Sequence, residues 1–279
     1  MARLPVKKTY KLYIGGAFPR SESGRIYEAE GQNVARASRK DARDAVVAAR
    51  GAQGKWAAAT AYNRGQVLYR VAEMMEARAS EFATLCSGPD EVERAIDRWV
   101  WYAGWADKIA QVLGSTNPVA APYFNFTIPE ATGVVGLIAP ESSSLLGLVS
   151  RLAPILVSGN TAVVLASETR PLPAVTLGEV LATSDLPGGV VNLLTGLKRD
   201  LVPVLAAHVD VDAVDTWGVP PDDQAAVEIS AAESIKRIAR RPRGISDAAF
   251  DWTDDRAAQR PEWIAAFLEM KTVWHPIGA

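Results

Sequence analysis

The chain has one cysteine, Cys86, and two histidines, His208 and His275, among 279 residues. A lone thiol excludes an intrachain disulfide and any multi-thiolate zinc site, and so few ligands argue against a structural metal. No charge of one sign dominates either. Thirty Lys and Arg against 32 Asp and Glu give a net charge of −2, which points away from nucleic-acid backbones and anionic membrane surfaces. Long apolar runs are missing too. The best, Leu145–Val157, is interrupted by Ser150 and Arg151 and is too short to span a bilayer. The start, Met1 to Lys8, carries charges but no apolar stretch of signal-peptide length follows, so a cytoplasmic protein is expected. What the chain does have is 48% apolar and 22% charged residues, a composition that buries a core. No internal repeat or low-complexity tract is present.

Several segments announce their structure. Lys11-Leu-Tyr-Ile14 before Gly15-Gly16 reads as a strand entering a tight turn. From Asp41 apolar residues recur at helical spacing (Ala45, Val46, Ala49, then Val67, Leu68, Val71, Ala72, Met75), predicting two amphipathic helices parted near Gly54, the second ending at Cys86. Ser87-Gly-Pro-Asp90 is a stop and turn, after which Val92, Ile96, Trp99, Val100, Ala103 and Ile109 mark one long third helix whose aromatics are expected to pack. Tyr123–Ile128 alternates like a strand. Beyond Gly133 strands and helices alternate: strands at 134–139, 161–165, 190–194 and 211–214, helices at 145–157, 173–183 and 201–207. Near-continuous apolar strands of this kind form a parallel sheet covered on both faces. Ligands bind such sheets beyond the carboxyl ends of the strands. The candidate loops are therefore Pro140–Ser144, Ala166–Thr169, Thr195–Lys198 and Thr216–Val219. Ala225–Arg240 reads as a helix and Arg237–Arg243 as a solvated basic face. Residues 244–261 are polar and turn-rich, and a short helix, Glu262–Leu268, leads to a terminal strand, Lys271–Trp274.

Taken together these segments resemble the aldehyde dehydrogenase superfamily. The likeness is carried by Lys11-Leu-Tyr-Ile-Gly-Gly-Ala-Phe18, the Asp41–Arg50 helix, Tyr102-Ala-Gly-Trp-Ala-Asp-Lys-Ile109 and Gly133-Val-Val-Gly-Leu-Ile-Ala-Pro140. Leu152-Ala-Pro154, Gly159-Asn-Thr161, Pro187-Gly-Gly-Val-Val-Asn192 and Thr195-Gly196 follow in the same order. Phe267-Leu-Glu-Met-Lys-Thr-Val-Trp274 is similar to the family's terminal strand. The resemblance implies an α/β fold: a Rossmann-like doubly wound parallel sheet with an N-terminal helical and β entry and small oligomerisation strands. It divides the chain into 1–113 (entry and helices), 114–130 (oligomerisation strand region), 131–243 (Rossmann-like core) and 244–279 (polar linker and C-terminal oligomerisation strand). It also implies an internal deletion that removes the catalytic domain with its nucleophilic cysteine and the segment bearing the general-base glutamate.

The same resemblance assigns the site residues. Cys86 lies far from the family's nucleophile and is expected to be inert, so no residue is assigned to catalysis. Ser142 takes the place of the family's oxyanion-stabilising asparagine, with the carboxylate of Glu141 beside it. Glu168 takes the place of the ribose-binding glutamate, Leu165 that of its partner lysine, and Gly196 that of a close-approach glycine. Glu168, Gly196 and Ser142 are thus the cofactor-binding candidates. The pyrophosphate turn reads Thr216-Trp-Gly-Val219 and runs into Pro220-Pro-Asp-Asp223, which opposes a diphosphate. The implied cofactor is NAD, weakly held. The implied partners are a full-length aldehyde dehydrogenase or further copies of the chain, joined through Tyr123–Ile128 and Lys271–Trp274, since an unpartnered edge strand is a liability in a monomer. Folding of that strand onto the chain's own sheet is the alternative. The leading functional expectation is a non-catalytic subunit. An NAD-dependent oxidoreductase acting on an aldehyde is the alternative, and a dinucleotide-sensing module a third.

Overall fold

A computed structural model describes residues 6–278 of the chain; the start of the N-terminal unit, residues 1–5, lies outside the described residues. Strands β1 (Thr9–Tyr10), β2 (Ile26–Ala29) and β3 (Gln32–Ala35) form a small sheet in the order β1-β3-β2. The β2–β3 hairpin turns on Glu30 and Gly31, both at positive φ, the geometry that suits the strand twist. The expected strand at Lys11–Ile14 is only partly formed. Tyr13 exchanges backbone hydrogen bonds with Leu193 of the main sheet, and Ile14 pairs with Ala17 around the Gly15-Gly16 turn.

Helix α1 (Arg39–Ala58) starts at a reciprocal cap: Ser38 Oγ accepts from the amides of Lys40 and Asp41, and Asp41 accepts from the Ser38 amide. It runs through Gly54, correcting the expected break there, and ends where Thr60 caps α2 (Ala61–Glu76). Packing of Trp56 beyond the glycine holds the helix together, its indole donating to Leu156 O. A separate turn of helix, α3 (Ala79–Leu85), carries Cys86 at its end. Helix α4 (Pro89–Ala103) begins with Gly88 as N-cap and Pro89 at N1. The expected long third helix stops at Gly104, and α5 (Ile109–Leu113) is a distinct piece.

After β4 (Ser115–Asn117) and β5 (Tyr123–Ala131) comes the main sheet. Its parts are β6 (Val134–Ile138), α6 (Leu146–Val157), β7 (Thr161–Leu165), α7 (Leu172–Leu181), β8 (Val191–Leu194), α8 (Lys198–Ala207), β9 (Ala213–Asp215), α9 (Gln224–Ala232) and β10 (Arg237–Ala239). All five strands are parallel in the order β10-β9-β6-β7-β8. Alternate strand residues feed two cores. Val135, Leu137 and Val164 meet α2, α4, α6 and α7, while Val134, Ile138 and Val163 meet α1, α8 and α9. The helix expected over Ala225–Arg240 is corrected: it ends at Ala232, and Ile235 at positive φ reverses the chain into β10 on the edge of β9. Within the basic run, Arg237 pairs with Glu269, Arg240 with Glu228, and Arg241 donates to Trp217 O.

The remaining chain crosses the carboxyl ends of the sheet. Helices α10 (Asp255–Ala258) and α11 (Pro261–Ala265) help bury Trp252, Ala258, Ile264 and Phe267. Strand β11 (Leu268–Pro276) then lies antiparallel on β5 through nine residue pairs, in a sheet ordered β11-β5-β4. No helix among the described residues is long and apolar enough to cross a membrane.

Candidate functional site

The chain passes from β6 to β7 and β8 on one side and to β9 and β10 on the other. The switch point, where such sheets bind ligands, is the mouth between β6 and β9. The two strand ends approach closely there: a Cβ on Gly218 would overlap Ala139 O. Into this mouth reaches Lys198, the first residue of α8, which is 5% exposed. Its Nζ donates to Ala139 O and Gly218 O, each at 2.8 Å, and lies 2.6 Å from Glu141 Oε1. Three acceptors satisfy the three protons of an ammonium.

Glu141 is equally engaged. It accepts from Ser167 Oγ at 2.6 Å, the Glu168 amide at 2.9 Å and Thr169 Oγ1 at 2.9 Å. Burial works to raise its pKa, but Lys198 and these donors outweigh it and bring the carboxyl down to about 2. Glu168 turns its Oε2 to the Lys198 amide at 2.7 Å, so this carboxylate candidate holds the first turn of α8. In the Thr216–Val219 turn every amide already has an internal acceptor: Thr216 to Ala239 O, Trp217 to Asp215 Oδ1, Gly218 to Ile138 O and Val219 to Thr216 O. Gly196, the third candidate, has Leu201 and the Ala37 backbone as its near neighbours.

Ser142 lies on the outer rim of the mouth. Its Oγ donates to Asp247 Oδ1 at 2.9 Å and accepts from Trp252 Nε1 at 3.1 Å. Above it Trp217, Phe250, Trp252 and Trp263 form a cluster, with Trp217 centred 4.7 Å from both Phe250 and Trp252. Beneath lies a buried ion pair, Arg151–Asp215 at 2.6 Å, the guanidinium 4.3 Å above the Trp263 ring. Burial pushes the Asp215 carboxyl up, against the pull of Arg151. Arg98, 1% exposed, donates to Ser150 Oγ, Asp255 Oδ1 and the carbonyls of Trp252 and Ala258. It thereby anchors the crossing segment to α4 and α6.

Cys86 is half-buried. Burial first, then the Glu91 carboxylate, push its thiol up to about 12, so it is protonated at neutral pH. Nearer the mouth, α8 and α9 enclose a slot of about 140 Å³ floored by Val202, Pro203 and Val227, with Arg199, Asp223 and Ser230 among its lining.

Sequence reasoning placed Lys198 at the end of a candidate loop without giving it a role, and did not name Asp247. A lysine opening the helix after Gly196 was the available signal for the first. Nothing local marks the second, which contacts Ser142 across 105 residues and Trp217 across 30.

The sequence profile described as the Aldehyde dehydrogenase family matches residues 26–244. The chain belongs to the aldehyde dehydrogenase family. Retinal dehydrogenase 2 of Gallus gallus is 32% identical over 282 residues, covering 92% of this chain and 54% of that protein. Aldehyde dehydrogenase family 2 member B4, mitochondrial, of Arabidopsis thaliana is 32% identical over 247 residues, covering 82% of this chain and 45% of that protein. The NAD+ complex of aldehyde dehydrogenase from Bacillus cereus superposes with a TM-score of 0.77 at 26% identity, covering 84% of this chain and 50% of that one. The chain spans about half the length of the curated relatives it matches. The family span stops at Gly244, short of Asp247, the aromatic residues Phe250 and Trp252, and β11.

Proposed function

We propose that this chain is a non-catalytic aldehyde dehydrogenase-like subunit that assembles with further copies of itself or with a full-length aldehyde dehydrogenase. One observation carries the reading: the ammonium of Lys198 occupies the switch-point mouth with all three protons engaged by Ala139, Gly218 and Glu141. A pyrophosphate entering there meets a filled crevice and a turn without free amides. NAD binding is correspondingly weak, with Glu168 already committed to the Lys198 amide. Thioester chemistry needs a reactive thiolate; the chain's only thiol is Cys86, held far above neutral. Assembly is supported by β5 and β11, whose sheet leaves Tyr123, Phe124, Met270 and Trp274 exposed and β11 with an open edge.

The test is purification of the chain from its source cells, with mass by light scattering and co-eluting proteins identified by mass spectrometry. NAD+ titration calorimetry and NADH formation with a panel of aldehydes accompany it. An oligomer or a co-eluting aldehyde dehydrogenase, with no turnover by the pure chain, is expected. NAD-dependent aldehyde oxidation by the pure chain overturns the reading.

A further inference from the structure

At the outer rim of the mouth four donors converge on one carboxylate. Asp247 Oδ2 accepts from the backbone amides of Glu141 at 2.8 Å and Ser142 at 3.0 Å. Oδ1 accepts from Ser142 Oγ at 2.9 Å and from Trp217 Nε1 at 3.0 Å. Two donors per oxygen is the arrangement that holds a carboxylate bidentately. The donors belong to the sheet: two residues follow β6 and one follows β9, while the acceptor comes from an outlying segment.

That segment is fastened lightly. From Pro242 to Ala249, among the described residues, the hydrogen bonds leaving the stretch are made by the Asp247 side chain, apart from the local turn bond from the Phe250 amide to Asp247 O. Residues 242–246, 248 and 249 are exposed, and so is Ser142. Firm anchoring resumes only at Phe250 and Trp252, in the aromatic cluster. The hole is thus built into rigid strand ends and lies at the surface, with a tethered side chain in it.

We propose that the amides of Glu141 and Ser142, Ser142 Oγ and Trp217 Nε1 form a binding site for a small free carboxylate, and that Asp247 is its tethered occupant. The donors are all neutral, and the Glu141 side chain beside them is anionic. Such a hole takes a planar monoanion in preference to a phosphate dianion. A tethered group competes at an effective concentration in the millimolar range. A free carboxylate therefore gains the site when Asp247 is removed, or when another interaction lifts residues 242–249. This inference does not rest on the subunit reading and stands or falls separately.

The experiment uses the full chain carrying Asp247→Ala, with sodium acetate as the probe and sodium chloride at equal ionic strength as the control. With affinity on the order of 10 mM, acetate at about 100 mM raises the melting temperature of the variant by about 2–3 °C over chloride. The unsubstituted chain shows no such acetate-specific rise, its hole being occupied. Equal melting temperatures of the variant in acetate and chloride overturn the proposal. If Asp247→Ala does not fold, Asp247→Gly, which likewise empties the hole, replaces it and the indole N–H resonance of Trp217 is read by NMR, assigned through Trp217→Phe. A saturable acetate-dependent shift of that resonance supports the site, and an unmoved resonance refutes it. Inorganic phosphate run in parallel separates carboxylate recognition from general anion binding: equal or stronger stabilisation by phosphate overturns the assignment to carboxylates.

Discussion

Lys198 Nζ and Glu141 Oε1 lie 2.6 Å apart in the mouth between β6 and β9, joining the first turn of α8 to the loop after β6. The pair fills with protein the position where a doubly wound sheet receives its ligand. Lys198→Met leaves Glu141 among its hydroxyl and amide donors without a cation. Stability is expected to fall by about 2 kcal/mol, less than for a fully buried pair because Glu141 keeps partial solvent contact. Urea unfolding of the two proteins measures it.

Acid exposes the same pair. The carboxyl of Glu141 is ordinarily near 4.5 and is brought to about 2 in the folded chain, so the folded state holds fewer protons than the unfolded one between those values. Its stabilising contribution is complete above pH 4.5 and is lost as pH falls toward 2. Urea midpoints taken from pH 6 to pH 3 should decline less steeply for Glu141→Gln than for the unsubstituted chain. Parallel declines would remove Glu141 from the acid response.

The Arg151–Asp215 pair is buried on both sides, and its members should not be separable. Arg151→Met strands a carboxylate in the core and is expected to cost about 3–5 kcal/mol. Adding Asp215→Leu removes the stranded charge, so the double variant should be more stable than Arg151→Met alone. A double-mutant cycle in urea reads this coupling.

Cys86 should behave as an inert thiol. With its pKa near 12, less than about one part in ten thousand is thiolate at pH 7.5. Labelling by a disulfide reagent in native buffer is expected to be slow and to accelerate with each pH unit up to the alkaline limit of folding. Fast labelling at pH 7.5 would contradict the burial that raises it.

Thr272 sits opposite Thr127 at the centre of the β5–β11 ladder, their hydroxyls 3.0 Å apart. Thr272→Pro breaks the strand where it is longest paired. On the subunit reading, light-scattering mass drops toward the monomer while far-UV circular dichroism keeps most of its amplitude, since the five-stranded sheet is untouched. An unchanged mass would separate β11 from assembly.

By itself the sequence determined the family, the alternation that builds the main sheet, and the presence of a single thiol. Strand β7 was legible at its full extent, Thr161–Leu165, because a short apolar run between turn residues is a local signal. The turn at Ile235 was not, since no glycine or proline marks the positive φ that frees β10 from α9. Gly54 misled in the opposite sense: tertiary packing of Trp56 outweighs the modest cost of a glycine inside α1. Only the tertiary structure decided what occupies the crevice. Lys198 meets Ala139 across 59 residues and Asp247 meets Ser142 across 105. Contacts at that separation follow from where the folded sheet delivers its strand ends, and periodicity along the chain carries no record of them.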